Sequence, residues 1–188
     1  MLIPDIYVDE TSGNDANPGT YLLPKQTLSS VSTTTPGTYT NGIVIGLARG
    51  SAWFQDPLFF VNQANGTNRI VVIPYTPPGG SDGDPLPRIY GNSILTPPTQ
   101  DTVVPFFPGI LFRDCGEFTV IDVEIHNLDY GIIVDSAAAA PMQSFDVARV
   151  YVHDILVDIM SLGVNVTATS ATRRVLWSRC EYSDNDGI

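Results

Sequence analysis

The sequence has few residues that could crosslink the chain or bind polyanions. Its 188 residues include two cysteines, Cys115 and Cys180, and a single lysine, Lys25. Two cysteines without metal-ligand spacing give neither a disulfide framework nor a cysteine-based zinc site. Twenty acidic residues against nine basic ones produce a net charge of −11, and a surface of this kind repels nucleic acid. We therefore expect no nucleic-acid partner.

Long apolar runs are also missing. No stretch approaches the roughly 20 apolar residues of a membrane-spanning helix, so we expect no membrane insertion. The N-terminus, Met1–Asp5, has neither a basic nor an apolar segment, and no secretory signal peptide is visible. Hydrophobic residues nevertheless make up 43% of the chain and charged residues 15%, which indicates a folded domain.

Helical periodicity is almost absent. The one candidate, residues 27–34, is rich in serine and β-branched residues and predicts a short helix at most. Apolar runs of strand length recur instead, separated by Gly, Pro, Asn and Asp clusters. We predict strands at Ile6–Val8, Ile43–Leu47, Leu58–Val61, Ile70–Ile73, Ile110–Phe112, Phe118–Ile125, Ile132–Val134, Val147–Val152 and Val175–Trp177.

An internal repeat favours a solenoid over a sandwich or a barrel. Residues 122–127, 149–154 and 179–184 align without gaps, at spacings of 27 and 30 residues. A strand that opens on glycine follows the first two copies, at Gly131–Val134 and Gly163–Val166. Repeats of this length predict coils that bury their apolar side chains on those of the next coil.

A long motif follows the first predicted strand. Gly13–Thr20 reads GxDxNPGT, and Pro24–Leu28 then reads PxxTL. With the later segments 43–50, 70–75 and 87–91, this order resembles the opening of pectate-lyase-like proteins. The resemblance implies an all-β right-handed parallel β-helix with at most a short N-terminal capping helix.

The resemblance and the repeat together suggest the organisation of the chain. We assign residues 1–40 to the N-terminal strand, loop and cap, and residues 41–188 to the coils. A loop insertion rich in Pro and Gly is predicted at 74–108. The last residues, 186–188, fall within a predicted strand, and an open solenoid end exposes unpaired backbone. We therefore expect a β-helix truncated at its C-terminal end and covered there by further sequence or another chain.

Alternation along the repeated strands predicts outward ladders of polar side chains. Proteins of the resembled fold bind extended glycans along such ladders. Glu124 and Glu181 are the predicted catalytic pair, because two carboxyls about 6.5–9.5 Å apart serve inverting glycosidases. The predicted glycan-binding residues are Asp122, His126, Arg149, Tyr151, His153 and Arg179.

No metal site is predicted. His126 and His153 are the only histidines and have no third ligand beside them. Lyases of the resembled family use arginine as the base, with Ca²⁺ on nearby aspartates. Here the aspartates close to Arg149 and Arg179 lie at predicted turns, as in Asp184–Asp186. We therefore expect no cofactor, with Ca²⁺ as the alternative.

Two functions fit these observations. The first is a module of a phage or virion attachment protein, such as a tail spike, which recognises polysaccharide or cell-surface glycan. A homotrimer is the assembly expected for this function. The alternative is a lyase, glycoside hydrolase or epimerase with much of its active site beyond residue 188. The missing signal peptide and the acidic surface favour the first. Either function implies an extracellular or virion location.

Overall fold

The protein folds into short β-strands. The structure, a computed structural model, describes residues 2–35, 37–61, 63, 69–91, 108–135 and 144–162. No helix occurs within these ranges, so the predicted all-β class is confirmed for them. The strands are β1 (Ile6–Val8), β2 (Ile43–Ala48), β3 (Ala52–Phe54), β4 (Leu58–Val61), β5 (Arg69–Tyr75), β6 (Arg88–Tyr90), β7 (Pro108–Arg113), β8 (Glu117–Ile121), β9 (Glu124–Asp135), β10 (Ser144–Ala148) and β11 (Tyr151–Leu162).

The named strands pair in parallel and form two sheets. The first sheet has the order β1-β2-β5-β8-β10, and the second has β3-β6-β9-β7-β4, with β11 also paired to β9. The chain alternates between them: β2 leads to β3 and β4, β5 to β6 and β7, β8 to β9, and β10 to β11. β9 is long enough to pair with both β6 and β7. Each passage therefore extends both sheets.

Inward-facing side chains form one apolar core between the sheets. Their rows follow the strand register, so each residue packs on its equivalent in the next strand. One row in each sheet illustrates this, and no member of either is more than 3% exposed. They are Ile45, Val72, Val120 and Val147 in the first sheet, and Trp53, Ile89, Ile125 and Val152 in the second.

The register predicted from the first two repeat copies is confirmed. Tyr151 lies opposite Glu124, and His153 lies opposite His126, so the offset is 27 residues. The glycine-opening strand predicted at Gly163–Val166 lies outside the described residues. An irregularity between Ile155 and Asp158 shifts the register by one residue, and the strand opposite Ile132–Val134 is formed by residues 160–162.

Two strands predicted as continuous are each interrupted by a corner. The run Phe118–Ile125 breaks at Asp122, which has a φ of 54°, and Val147–Val152 breaks at Arg149, which has a φ of 51°. These residues adopt the left-handed conformation, which turns the chain from the first sheet into the second. The sequence offers no glycine at either position, so the turns were missed.

A turn occupies the position of the predicted capping helix. The backbone N–H of Ser32 donates to Leu28 O at 3.0 Å, but no helix follows. The Asp56 carboxylate accepts from the N–H groups of Leu28 and Ser29, which fixes the start of this turn. In the preceding loop, Asp15 Oδ1 accepts from Gln26 N at 2.9 Å. The carboxylates of Asp15 and Asp56 therefore hold the N-terminal loop and turn in place.

The predicted loop insertion at 74–108 is only partly a loop. Arg88–Tyr90 forms β6 within it, and residues 92–107 lie outside the described ranges. Residues 163–188, including the third repeat copy, also lie outside them. Across the described part of the chain, no helix has the length and apolar character needed to cross a bilayer.

Candidate functional site

Two rows of side chains point outward from the second sheet where β3, β6, β9 and β11 lie side by side. The neighbouring inward residues are buried, as the alternation of a strand requires. We call these rows together the ladder face. The aromatic row consists of Phe54, Tyr90, His126 and His153. The other row consists of Arg88, Glu124 and Tyr151, with Ala52 at its end, and we call it the polar row after the first three.

The rings of the aromatic row contact one another in sequence, stacked from Tyr90 to His153 and tilted at Phe54. The centroids of Phe54 and Tyr90 lie 5.3 Å apart, and those of Tyr90 and His126 lie 5.4 Å apart. His126 and His153 stack at 4.9 Å with an interplanar angle of 2°. Most rings in the row thus cover one another's faces and present their edges to solvent. Phe54, at the end of the row, is 50% exposed.

Glu124 lies beside both histidines. Its Oε1 atom is 3.3 Å from Nε2 of His153 and 3.9 Å from Nε2 of His126. The other ring nitrogen of His153, Nδ1, lies 2.7 Å from Oδ2 of Asp154. A carboxylate therefore faces each nitrogen of the His153 ring, which fixes the orientation of that ring.

The surroundings of His126 disfavour its charged form. Burial lowers the pKa of His126 below its ordinary value, and the nearby His153 and Arg88 lower it further, against the opposing effects of Glu124 and Asp154. His126 is therefore neutral at neutral pH, with one ring nitrogen able to donate and the other able to accept. His126 can therefore either donate a hydrogen bond to a sugar hydroxyl or accept one from it.

Asp122 and Arg149 form an ion pair at the corners that precede β9 and β11. Arg149 Nε lies 2.6 Å from Oδ1 of Asp122, and Nη2 lies 2.7 Å from Oδ2. The hydrogen bonds and charge of Asp122 raise the pKa of Arg149. The arginine side chain is 56% exposed, so solvent limits the pair to under about 1 kcal/mol. The pair neutralises both residues next to the ladder face.

The structure brings most of the predicted site residues together. Glu124, His126, Tyr151 and His153 lie on the ladder face, and Asp122 and Arg149 lie at its corners. Arg179 and Glu181 lie outside the described residues, so the predicted Glu124–Glu181 pair stays a prediction. Among the described residues, no group of three or more His, Cys, Asp or Glu side chains is arranged to hold a metal ion.

Sequence reasoning missed four residues of the ladder face: Ala52, Phe54, Arg88 and Tyr90. A signal for them existed. Four triplets share the pattern of an outward residue, a buried apolar residue and an outward ring, and they are Ala52–Phe54, Arg88–Tyr90, Glu124–His126 and Tyr151–His153. The first two triplets do not stand out as strands in the sequence, because β3 and β6 are each only three residues long.

Comparisons with known proteins identify the fold but not a family. No protein-family model matches the chain, and no curated protein matches it. It resembles the glycoside hydrolase family 136 lacto-N-biosidase of Eubacterium ramulus in two crystal structures. The selenomethionine derivative superposes with a TM-score of 0.63 at 20% identity over 81% of this chain, and the native protein with 0.59 at 18% over 84%. The chain spans 27% and 30% of the length of those chains.

Proposed function

We propose that this chain is a right-handed parallel β-helix that binds glycan on the ladder face, and that it acts as part of a glycoside hydrolase. The parallel register and the alternation between two sheets support the β-helix. The fold likeness to a lacto-N-biosidase favours the enzyme over the attachment module, which the comparisons do not support. A polysaccharide or cell-surface glycan as ligand implies an extracellular site of action.

The proposal depends above all on one observation: Glu124 lies beside two stacked imidazoles on the outward face of the second sheet. Sugars are bound in proteins by hydrogen bonds to their hydroxyls and by aromatic contacts with their apolar C–H faces. The ladder face offers both, since Glu124, His126 and Tyr151 supply polar atoms and Phe54 supplies a free ring. The strand spacing of about 4.8 Å repeats these groups along the direction of an extended chain.

Glu124 is the proposed acid–base residue of the site. A carboxylic acid can protonate the leaving oxygen of a glycosidic bond, while a second carboxylate takes a proton from the water that attacks the anomeric carbon. His153 positions Glu124 through the 3.3 Å contact. Glu181 is the proposed second carboxylate, two coils from Glu124 in the predicted register.

The test combines binding and turnover by the 188-residue chain. Binding is measured on a glycan panel that includes lacto-N-biose, and turnover on an aryl lacto-N-bioside. We expect Glu124→Gln to keep glycan binding within a few-fold and to reduce turnover by about 100-fold or more. Glu117→Gln is the matched control, because Glu117 is an outward glutamate of the first sheet that pairs with Arg69.

Three results would change the proposal. Binding without turnover by the unaltered chain leaves glycan recognition as its function and shows that its own residues do not suffice for hydrolysis. Equal turnover by the Glu124→Gln variant and the unaltered chain would show that Glu124 takes no part in the chemical step. Failure to bind any glycan overturns the proposed function as a whole.

A further inference from the structure

Arg88 is a cation of the ladder face that has no partner among the described residues. Its side chain is half-buried, and its Nε atom is buried without a hydrogen-bond acceptor in the described part of the chain. Other arginines differ. Arg149 pairs with Asp122, and Arg69 places Nη1 2.7 Å from Oδ2 of Asp146. A buried N–H donor without an acceptor costs free energy, so the described residues leave this guanidinium unsatisfied.

The nearest carboxylate in the polar row does not neutralise Arg88. Glu124 lies opposite Arg88 in the strand register, yet no ion pair joins them in the described structure. Oε1 of Glu124 lies instead beside the histidines, and His153 belongs to β11, on the side of β9 away from β6. The positive charge of Arg88 is therefore uncompensated at this point of an otherwise acidic chain.

We propose that Arg88 binds a carboxylate or sulfate group carried by the glycan, so that the ladder face takes an acidic sugar beside β6. This inference rests on the proposed glycan binding and names the chemical class of the ligand. A guanidinium group presents paired N–H donors that match two oxygens of a carboxylate or sulfate. The net charge of −11 repels an anionic glycan elsewhere, so Arg88 fixes the position of the anionic group.

Phe54 places the sugar ring relative to Arg88. The two residues lie on adjacent strands and two positions apart, which gives roughly 8 Å between their backbones from strand spacing and rise per residue. Phe54 is 50% exposed at the end of the aromatic row, so one face of its ring is open. A pyranose stacked on Phe54 can thus direct an acidic substituent to Arg88.

The experiment measures affinity for three forms of one oligosaccharide: neutral, sialylated and sulfated. Calorimetric titration uses the 188-residue chain at low ionic strength. We expect an anionic form to bind about tenfold more tightly than the neutral form, as one charge-assisted hydrogen-bonded contact allows. Arg88→Gln abolishes this preference while the neutral form still binds. Arg69→Gln, which removes one positive charge from the first sheet, keeps the preference.

The outcomes separate this inference from the proposed function. A preference for the sialylated form alone assigns a carboxylate ligand, and a preference for the sulfated form alone assigns a sulfate. Equal affinity for all three forms overturns the role of Arg88 and leaves glycan binding intact. If the Arg88→Gln variant keeps the preference, another cation binds the anionic group, and the proposed role of Arg88 is overturned. Failure to bind any form overturns both. Arg88→Lys, expected to keep part of the preference, replaces Arg88→Gln if that variant does not fold.

Discussion

The imidazole rings of His126 and His153 stack on adjacent strands, with centroids 4.9 Å apart and an interplanar angle of 2°. Oε1 of Glu124 lies near Nε2 of each ring. Two stacked rings disfavour a positive charge on both, since like charges at this distance repel. The lowered pKa of His126 agrees with a neutral ring at that position.

The stability of the protein should therefore depend on pH through His126. In the unfolded chain the pKa of a histidine is about 6.5, and in the folded protein the pKa of His126 is lower. As pH falls through this window the unfolded state takes up the proton first, so stability falls with pH. His126→Phe keeps a ring in the row and removes the titration. Urea denaturation between about pH 5 and 7.5 should show a smaller loss of stability in this variant than in the unaltered chain. Equal losses would contradict the assignment.

Gln63 should be important for stability although it lies far from the ladder face. Its side chain is fully buried, and its Nε2 donates to Thr35 O and Val61 O, both at 2.6 Å. Its Oε1 accepts from Tyr39 N at 2.8 Å. Gln63→Leu leaves these backbone groups unpaired and should lower the free energy of unfolding by about 3 kcal/mol. Gln26→Leu, at an exposed glutamine, should change it by less than about 0.5 kcal/mol. Similar losses in the two variants would refute the role of burial.

Phe112 should be a larger contributor to core packing than any ring of the aromatic row. Its ring stacks between Phe60 at 5.4 Å and Phe118 at 3.9 Å and is not exposed. Phe112→Ala should cost about 3–5 kcal/mol, because it removes the buried ring and leaves a cavity. Phe54→Ala, at the half-exposed end of the aromatic row, should cost less than about 1.5 kcal/mol. Chemical denaturation of both variants tests this order, and a reversed order would contradict the assignment of the core.

Asn127 tests a left-handed position within β9. It has a φ of 54°, and Asp154, its equivalent on β11, has a φ of 53°. Asn127→Ala should lower stability by about 1 kcal/mol, because alanine disfavours the left-handed region more than asparagine does. Asn127→Gly should be nearly neutral, since glycine adopts this conformation without steric cost. Thermal unfolding of the pair measures the difference. A greater loss with glycine than with alanine would show that the side chain, rather than the backbone conformation, matters here.

The sequence predicts the part of the fold that repeats. The alignment of 122–127 with 149–154 gave the correct register and the correct inward residues, because equivalent residues in adjacent coils face the same environment. It also placed His126 and His153 side by side, because a ladder needs only register and alternation. It did not predict the Glu124 carboxylate beside both rings.

The rest depends on backbone conformation that the residue types do not reveal. Asp122 and Arg149 occupy left-handed corners that usually favour glycine or asparagine, so strand predictions ran through them. The one-residue register shift between Ile155 and Asp158 was not predicted either, because no sequence signal marks it. The unpartnered state of Arg88 could not be predicted either, since it follows from the direction in which the Glu124 carboxylate points.

An offset shared by two neighbouring strand pairs has a consequence for how such a chain can change in length. β8 pairs with β10 and the start of β9 pairs with the start of β11 at the same offset of 27 residues, as in Glu117 opposite Ser144 and Glu124 opposite Tyr151. Duplication or loss of one such unit in the gene would move each side chain by one strand and keep it on the same face. The number of groups that contact a glycan could therefore rise or fall by whole coils, without a change in the residues that form the core.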